Sequence, residues 1–152
     1  MDCKKIAISA FVFAIISQIV HTLGAFASMG YYTDPQYFGL WSRLMMPGPS
    51  PPGWEFYAAS IAVALITGAI FTYIFEIMRP ALMANPKKNF NKVTPMKAGV
   101  KFGALIFLAV CFTNGMSAWL LYSFPLGLQC EWLVEGLAVS LLYGAALGRI
   151  YK

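Results

Sequence analysis

Charge is scarce in this sequence. Aspartate, glutamate, lysine and arginine make up 11% of its 152 residues, against about 25% in a typical soluble domain, too little to cover a water-facing globule. A soluble enzyme, a nucleic-acid-binding domain and a disordered tail are excluded on that ground. Histidine occurs once, at His21, so two-histidine haem ligation within one subunit is impossible. Cys3, Cys111 and Cys130 form no CxxC pair and no Cys/His spacing, which argues against a zinc site and against a disulfide framework. Catalytic signatures are missing as well: no His-Glu-x-x-His, no Gly-x-Ser-x-Gly, no Walker loop and no Gly-x-Gly-x-x-Gly. No Asn-x-Ser/Thr sequon is present, in keeping with a prokaryotic inner membrane.

Apolar residues are abundant, at 59% with a mean hydropathy of +0.66. They fall in four blocks, roughly Ile6 to Ser28, Trp54 to Met78, Gly99 to Ser123 and Glu131 to Tyr151. Each is near the length of about 20 residues that a helix needs to cross about 30 Å of hydrocarbon. The expected fold is an all-α, multi-pass membrane protein: one transmembrane domain over residues 1–152, with four helices in two hairpins. Lys4, Lys5, Arg79, Lys87, Lys88, Lys92, Lys97, Lys101, Arg149 and Lys152 fall on one side of this layout, and Arg43 alone on the other. By the positive-inside rule both termini and the middle loop are cytoplasmic. The formal charge of +5 is then a topology signal, and the partner expected for the basic middle loop is anionic lipid rather than nucleic acid. The first block also has a Lys4-Lys5 front and an Ala25-Phe26-Ala27 end, as signal peptides do. Its apolar run is long for a signal, so a retained anchor is the expectation.

Shifting the chain by 76 residues lays the second block on the fourth, with Glu55 on Glu131, Gly68 on Gly144 and Ile74 on Ile150 among the identities. Small residues recur every fourth position in both: Ser60, Ala64, Gly68 and Thr72 in one, Gly136, Ser140, Gly144 and Gly148 in the other. Such a stripe lets two helix backbones approach closely, which in lipid stands in for the missing hydrophobic drive. These residues are read as helix-packing surfaces, with spans two and four side by side or facing a partner subunit and spans one and three outside them. Chance agreement between two Ala/Gly/Leu-rich helices is the alternative to a true repeat.

In the loop after the first span, Asp34 before Pro35 is a helix start, because Asp caps free N–H groups and Pro fits the first turn; Pro47 is the expected stop. Phe38, Trp41, Leu44 and Met45 would share one face of that helix, as in an amphipathic helix lying in the outer headgroup layer. Tyr32, Phe38 and Trp41 are the candidate lid or interface residues. The same aromatics also read as an interfacial belt. The stretch Tyr32-Thr-Asp-Pro35-Gln-Tyr-Phe38-Gly39-Leu-Trp41 resembles the Tyr-x-Pro-x-x-Phe-Gly-x-x-Trp signature that follows the first span in an uncharacterised family of small bacterial four-span integral membrane proteins. The spacing departs from that signature by one residue on each side of Pro35, and the likeness covers about a tenth of the chain. It implies a four-helix membrane protein and no chemistry.

Ionisable residues inside a span are costly and carry a functional hypothesis by default. Counted from the cytoplasmic edge, His21, Asn114 and Glu135 come out about 22, 21 and 24 Å up at about 1.5 Å per residue, so all three share one layer. Gln18, one turn below His21, would extend that polar face. A His–Glu pair with an Asn nearby suits binding a cation or passing a proton; an internally satisfied hydrogen-bond cluster that holds three spans in register is the plainer reading. Cys111 paired with His21 as a nucleophile is disfavoured, since the two lie at different depths. Glu55 and Glu131 read as carboxylates near helix N-termini, favoured by the dipole, and Glu76 with Arg79 as a surface pair.

The leading functional expectation is a non-catalytic, structural or accessory helix-packing subunit that binds copies of itself or other membrane subunits. A different class is an oligomeric transporter or channel subunit with His21, Asn114 and Glu135 along a polar path. A third is a membrane enzyme acting on a lipid or quinone. No motif specifies a cofactor.

Overall fold

Asp2 opens the first helix: its carboxylate accepts hydrogen bonds from the backbone N–H of Lys4 and Lys5, satisfying two of the donors that a helix start leaves free. The computed structural model describes residues 2–45, 52–84 and 93–152, and every regular element among them is helical. Helix α1 is Cys3–Ala27, and a short α2, Met29–Thr33, prolongs it. A 3₁₀ turn at Pro35–Leu40 follows, then α3 at Trp54–Met83. Helix α4, Pro95–Ile106, runs through a π-helical stretch, Phe107–Phe112, into α5 at Thr113–Leu121, and α6 is Leu126–Ile150. Four helices are long and apolar enough to cross a membrane: α1, α3, the composite Pro95–Leu121 and α6.

The bounds differ from the expected ones where capping decides them. The third span starts at Pro95, four residues before Gly99, because the Thr94 side chain accepts from Lys97 N–H and Pro95 fits the first turn. The fourth starts at Leu126, behind Pro125, so Glu131 sits in the second turn and not at a helix N-terminus as expected; Glu55 does lie in the first turn of α3. In the loop, Asp34 caps as anticipated, accepting from Gln36 N–H at 3.0 Å. The helix it opens is 3₁₀ and ends at Leu40 instead of running to Pro47, because Trp41 turns away to donate its indole N–H to the Tyr31 carbonyl at 3.0 Å. Pro47 itself lies outside the described residues. With the helix that short, Trp41, Leu44 and Met45 do not share its face with Phe38.

Both termini lie at one end of the bundle, hereafter proximal, where Lys5 Nζ is 5.3 Å from the Tyr151 ring. Around the bundle the order is α3, α1, α6, α4, with α3 packing on the third span through α4. Spans two and four are therefore diagonal, which corrects the expectation that they lie side by side with one and three outside. The stripes explain why. A Cβ on Gly68 would come within 2.7 Å of Phe13 Cβ and 2.9 Å of Ala10 Cα, so the α3 stripe faces α1. On α6, Gly144 has room for no side chain against Gly99 and Gly103, Gly148 presses on Pro95 and Met96, Gly136 meets Cys111, and the Ser140 carbonyl underlies Gly103. Each stripe is consumed inside its own hairpin. Across the diagonal two tyrosines make the link: the Tyr143 hydroxyl donates to the Gly68 carbonyl at 2.8 Å and meets the Thr72 hydroxyl at 2.5 Å, and Tyr151 at the end of α6 packs on Phe75.

Packing is tightest in the proximal half, where Phe75 lies 5.2 Å from Phe102 and 5.6 Å from Tyr151, and Phe13 lies 4.9 Å from Tyr143, ring to ring. The exterior is apolar, with Phe11, Ile15, Ile19, Leu23 and Phe26 exposed along one face of α1, while Ser9, Ser17, Thr72, Gln129, Glu135 and Ser140 are buried. An apolar outside around a polar-containing inside suits a lipid solvent.

Candidate functional site

Ser17, His21 and Gly24 stand three and four residues apart on α1, so they share the face that α1 turns to α6. Glu135 of α6 reaches this face and is 8% exposed. Its Oε2 lies 2.5 Å from His21 Nδ1. Gly24 makes room for the carboxylate: a Cβ there would collide with Glu135 Oε1. The reading of the sequence missed Gly24; its place three residues beyond a lone intramembrane histidine, on the same face, was the available signal. With Nδ1 engaged, Nε2 is the ring nitrogen left over, and the His21 side chain is 54% exposed. Nε2 is thereby the ring position that can meet a ligand without breaking the contact with Glu135.

His21 opens onto a groove of about 370 Å³ to which all four long helices contribute. Ser17 and Phe13 line it from α1, Thr67 and Phe71 from α3, Cys111, Asn114 and Ala118 from the third span, and Gln129, Trp132 and Ser140 from α6. Cys111 lies in the π-helical stretch and is half-buried, whereas Asn114 follows it in α5 and is exposed at the groove's edge. The wider turn of the π-helical stretch is closed by the Thr113 hydroxyl, which donates to the Leu108 carbonyl five residues back at 3.0 Å, and such stretches recur at functional sites. Cys111 Sγ is 3.8 Å from Ser140 Oγ, so its nearest polar neighbour is a serine and not His21.

The other candidates are placed as follows. Asn114 lines the same groove as His21, and among the described residues its carboxamide makes no hydrogen bond. Gln18 leaves the group: three residues from His21 is about 60° round the helix, and its Nε2 donates to Ser60 Oγ on α3 at 2.7 Å. Glu131, one turn distal of Glu135, has a buried Oε1 without a hydrogen-bond partner. Glu76 and Arg79 form no ion pair among the described residues, and the Arg79 guanidinium lies 6.0 Å from the Tyr151 ring instead.

Aromatic rings roof the distal end. Tyr32 stacks on Trp41 at 4.6 Å and 18°, Trp41 meets Trp132 edge-on at 6.2 Å, and Phe124 meets Trp132 at 5.3 Å. Phe38, half-buried in the 3₁₀ turn, takes part in no ring pair among the described residues. Burial pushes the Tyr32 phenol above its ordinary range against the pull of hydrogen bonds with Trp132 and Ser28, and the Glu135 and Glu131 carboxylates add to the rise. The proximal floor is Phe13 with Phe71, 5.8 Å apart, over the Phe75 and Phe102 pair. Among the described residues no cluster of three His, Cys, Asp or Glu side chains is placed to hold a metal ion.

With four helices long and apolar enough to cross a membrane, the fold is that of a helical, multi-pass membrane protein. The chain matches no family model, no curated protein and no solved structure.

Proposed function

We propose that this chain is a small-molecule-binding subunit of carrier type in a prokaryotic inner membrane, with His21, Glu135 and Asn114 as the polar end of its binding site. One observation carries the reading: the 2.5 Å contact between His21 and Glu135 at the wall of a groove built by all four long helices. An ionisable pair at such a depth is costly, and half of it stays open to the groove. The basic residues orient the protein with the proximal end in the cytoplasm. The 3₁₀ turn and its aromatics then lie in the outer interface as a lid over the site, and lipid is the surrounding partner.

Native mass spectrometry after gentle extraction tests the reading. A small molecule retained by the wild type and lost in both His21→Phe and Glu135→Gln supports it; retention that neither substitution alters contradicts it.

Assembly with copies of itself or with other membrane subunits is the second reading. Both small-residue stripes are filled within the chain, so they no longer motivate it. What favours it is the exposed α5 face carrying Asn114 and Ser117, since an asparagine amide in lipid gains from an interhelical hydrogen bond. A fixed oligomer that carries no ligand and dissociates in Asn114→Leu would establish this role in place of the first.

A further inference from the structure

Of the four seams between neighbouring long helices, three are extensively packed. Helix α1 packs on α3 and on α6, and α6 packs on α4, on the π-helical stretch and on α5. Among the described residues, helix α3 meets the third span mainly in the proximal half, through α4 and the Phe75–Phe102 contact. Beyond Ile106 no comparable packing joins α3 to the π-helical stretch or to α5 among the described residues, whereas on the α6 side the close approach continues, with Gly115 against Leu133 and Gly136 against Cys111. The groove has a floor at Phe13 and Phe71 and a roof at Trp132, and its least packed side is that between α3 and α5, lined by Thr67 and Ala118.

We infer that the occupant reaches the groove sideways from the lipid, through the gap between α3 and α5, and is an amphiphile with an uncharged, oxygen-bearing head. This rests on the binding reading above and adds the route and the ligand class. The chemistry of the lining selects the head. His21 Nε2, the Asn114 carboxamide and the Ser17 and Thr67 hydroxyls line the groove without a hydrogen-bond partner among the described residues, and together they offer donor and acceptor sites for a hydroxyl or carbonyl. Among the described residues no lysine or arginine lines the groove, so none of them balances a phosphate or carboxylate there. The Glu135 carboxylate is packed on Gly24 behind His21 and is not among the residues that line the groove, so no carboxylate is presented to an amine. From His21 to Phe13 is eight residues of α1, about 12 Å at the helical rise, and Phe71, Val110 and Val139 line the groove with apolar surface suited to a chain.

Cys111 reports on the groove without disturbing it. In Cys3→Ser/Cys130→Ser protein, reconstituted in phosphatidylcholine vesicles, its alkylation by N-dodecylmaleimide is compared with that by a sulfonated, water-borne maleimide. Each rate is normalised to protein that keeps Cys130 alone. The expected result is at least tenfold faster modification by the dodecyl reagent, slowed severalfold by 1-dodecanol and not by dodecyl phosphate, with the dodecyl rate falling about tenfold when Thr67→Leu/Ala118→Leu fills the gap. Equal or faster reaction with the sulfonated reagent overturns the lipid route, and it does so in protein with the gap unaltered, so a misfolded blocking variant cannot obscure it. Protection by dodecyl phosphate in place of dodecanol overturns the head-group assignment. If dodecanol protects equally in His21→Phe and Glu135→Gln, the lipid route stands and the polar-site reading fails, which separates the two.

Discussion

Gly24 and Glu135 occupy complementary space: the carboxylate of one fills the volume that a side chain on the other would need. This contact, more than the general proximity of α1 and α6, positions Glu135 under His21, and it makes Gly24 a positioning residue. Gly24→Ala is expected to expel the carboxylate, at a cost of about 1–3 kcal/mol typical of overpacking, and to abolish whatever Glu135→Gln abolishes. Unfolding in mixed detergent gives the first quantity and ligand retention the second; a Gly24→Ala protein of unchanged stability and retention contradicts the assignment.

The His21–Glu135 pair joins α1 to α6, so it should contribute to stability as well as to the site. Interhelical hydrogen bonds in membrane proteins are worth about 0.6 kcal/mol on average and up to about 1.7. A double-mutant cycle of His21→Phe and Glu135→Gln should return a coupling of about 1 kcal/mol in the stabilising sense. A coupling of zero would mean that the two side chains do not meet.

Glycines should divide sharply by position. Gly144→Val drives a side chain into the Gly99 carbonyl, where backbone on both sides prevents relief, and is expected to cost several kcal/mol by parting the third and fourth spans, beyond the ordinary overpacking range of about 1–3 kcal/mol. Gly30→Ala and Gly39→Ala meet nothing within 4 Å and should be near neutral. Thermal unfolding of the three proteins side by side checks the contrast.

The raised Tyr32 phenol has a definite linkage sign. Folded protein holds this proton to higher pH than unfolded protein does, so the contribution is fully present below the ordinary tyrosine range and is lost as pH rises through it toward the folded value. Ultraviolet titration should show that Tyr32→Phe removes one of the tyrosines that ionise above the ordinary range, and the alkaline loss of stability should be shallower in that variant. An unchanged titration curve contradicts the burial of Tyr32 under the lid.

The four long helices were legible because an apolar run is a local signal, and the stripes because a four-residue spacing is one too. Depth was legible as well: rise per residue alone put His21, Asn114 and Glu135 in one layer, and the structure joins the first to the third and sets the second on the same groove. Rotation of each helix about its axis was not legible, and the misreadings share that origin. The stripe on α3 turns to α1 and that on α6 to α4, which puts spans two and four on a diagonal; Gln18 turns to Ser60. The π-helical stretch that carries Cys111 has no sequence signature comparable to Asp34-Pro35, and Glu131 was misplaced because the helix starts at Leu126, a bound decided by Pro125 and not by hydropathy.

Because the chain has a single histidine, the central claim can be read from one residue. Protein labelled with ¹⁵N only in histidine gives two ring-nitrogen signals, both from His21. The account predicts that Nδ1 carries the shift of a strong hydrogen bond to a carboxylate, that Glu135→Gln moves it to that of a weaker one, and that Nε2 alone responds to 1-dodecanol. Identical Nδ1 shifts in the wild type and Glu135→Gln would show that the ring does not engage Glu135, and the site described above would not exist.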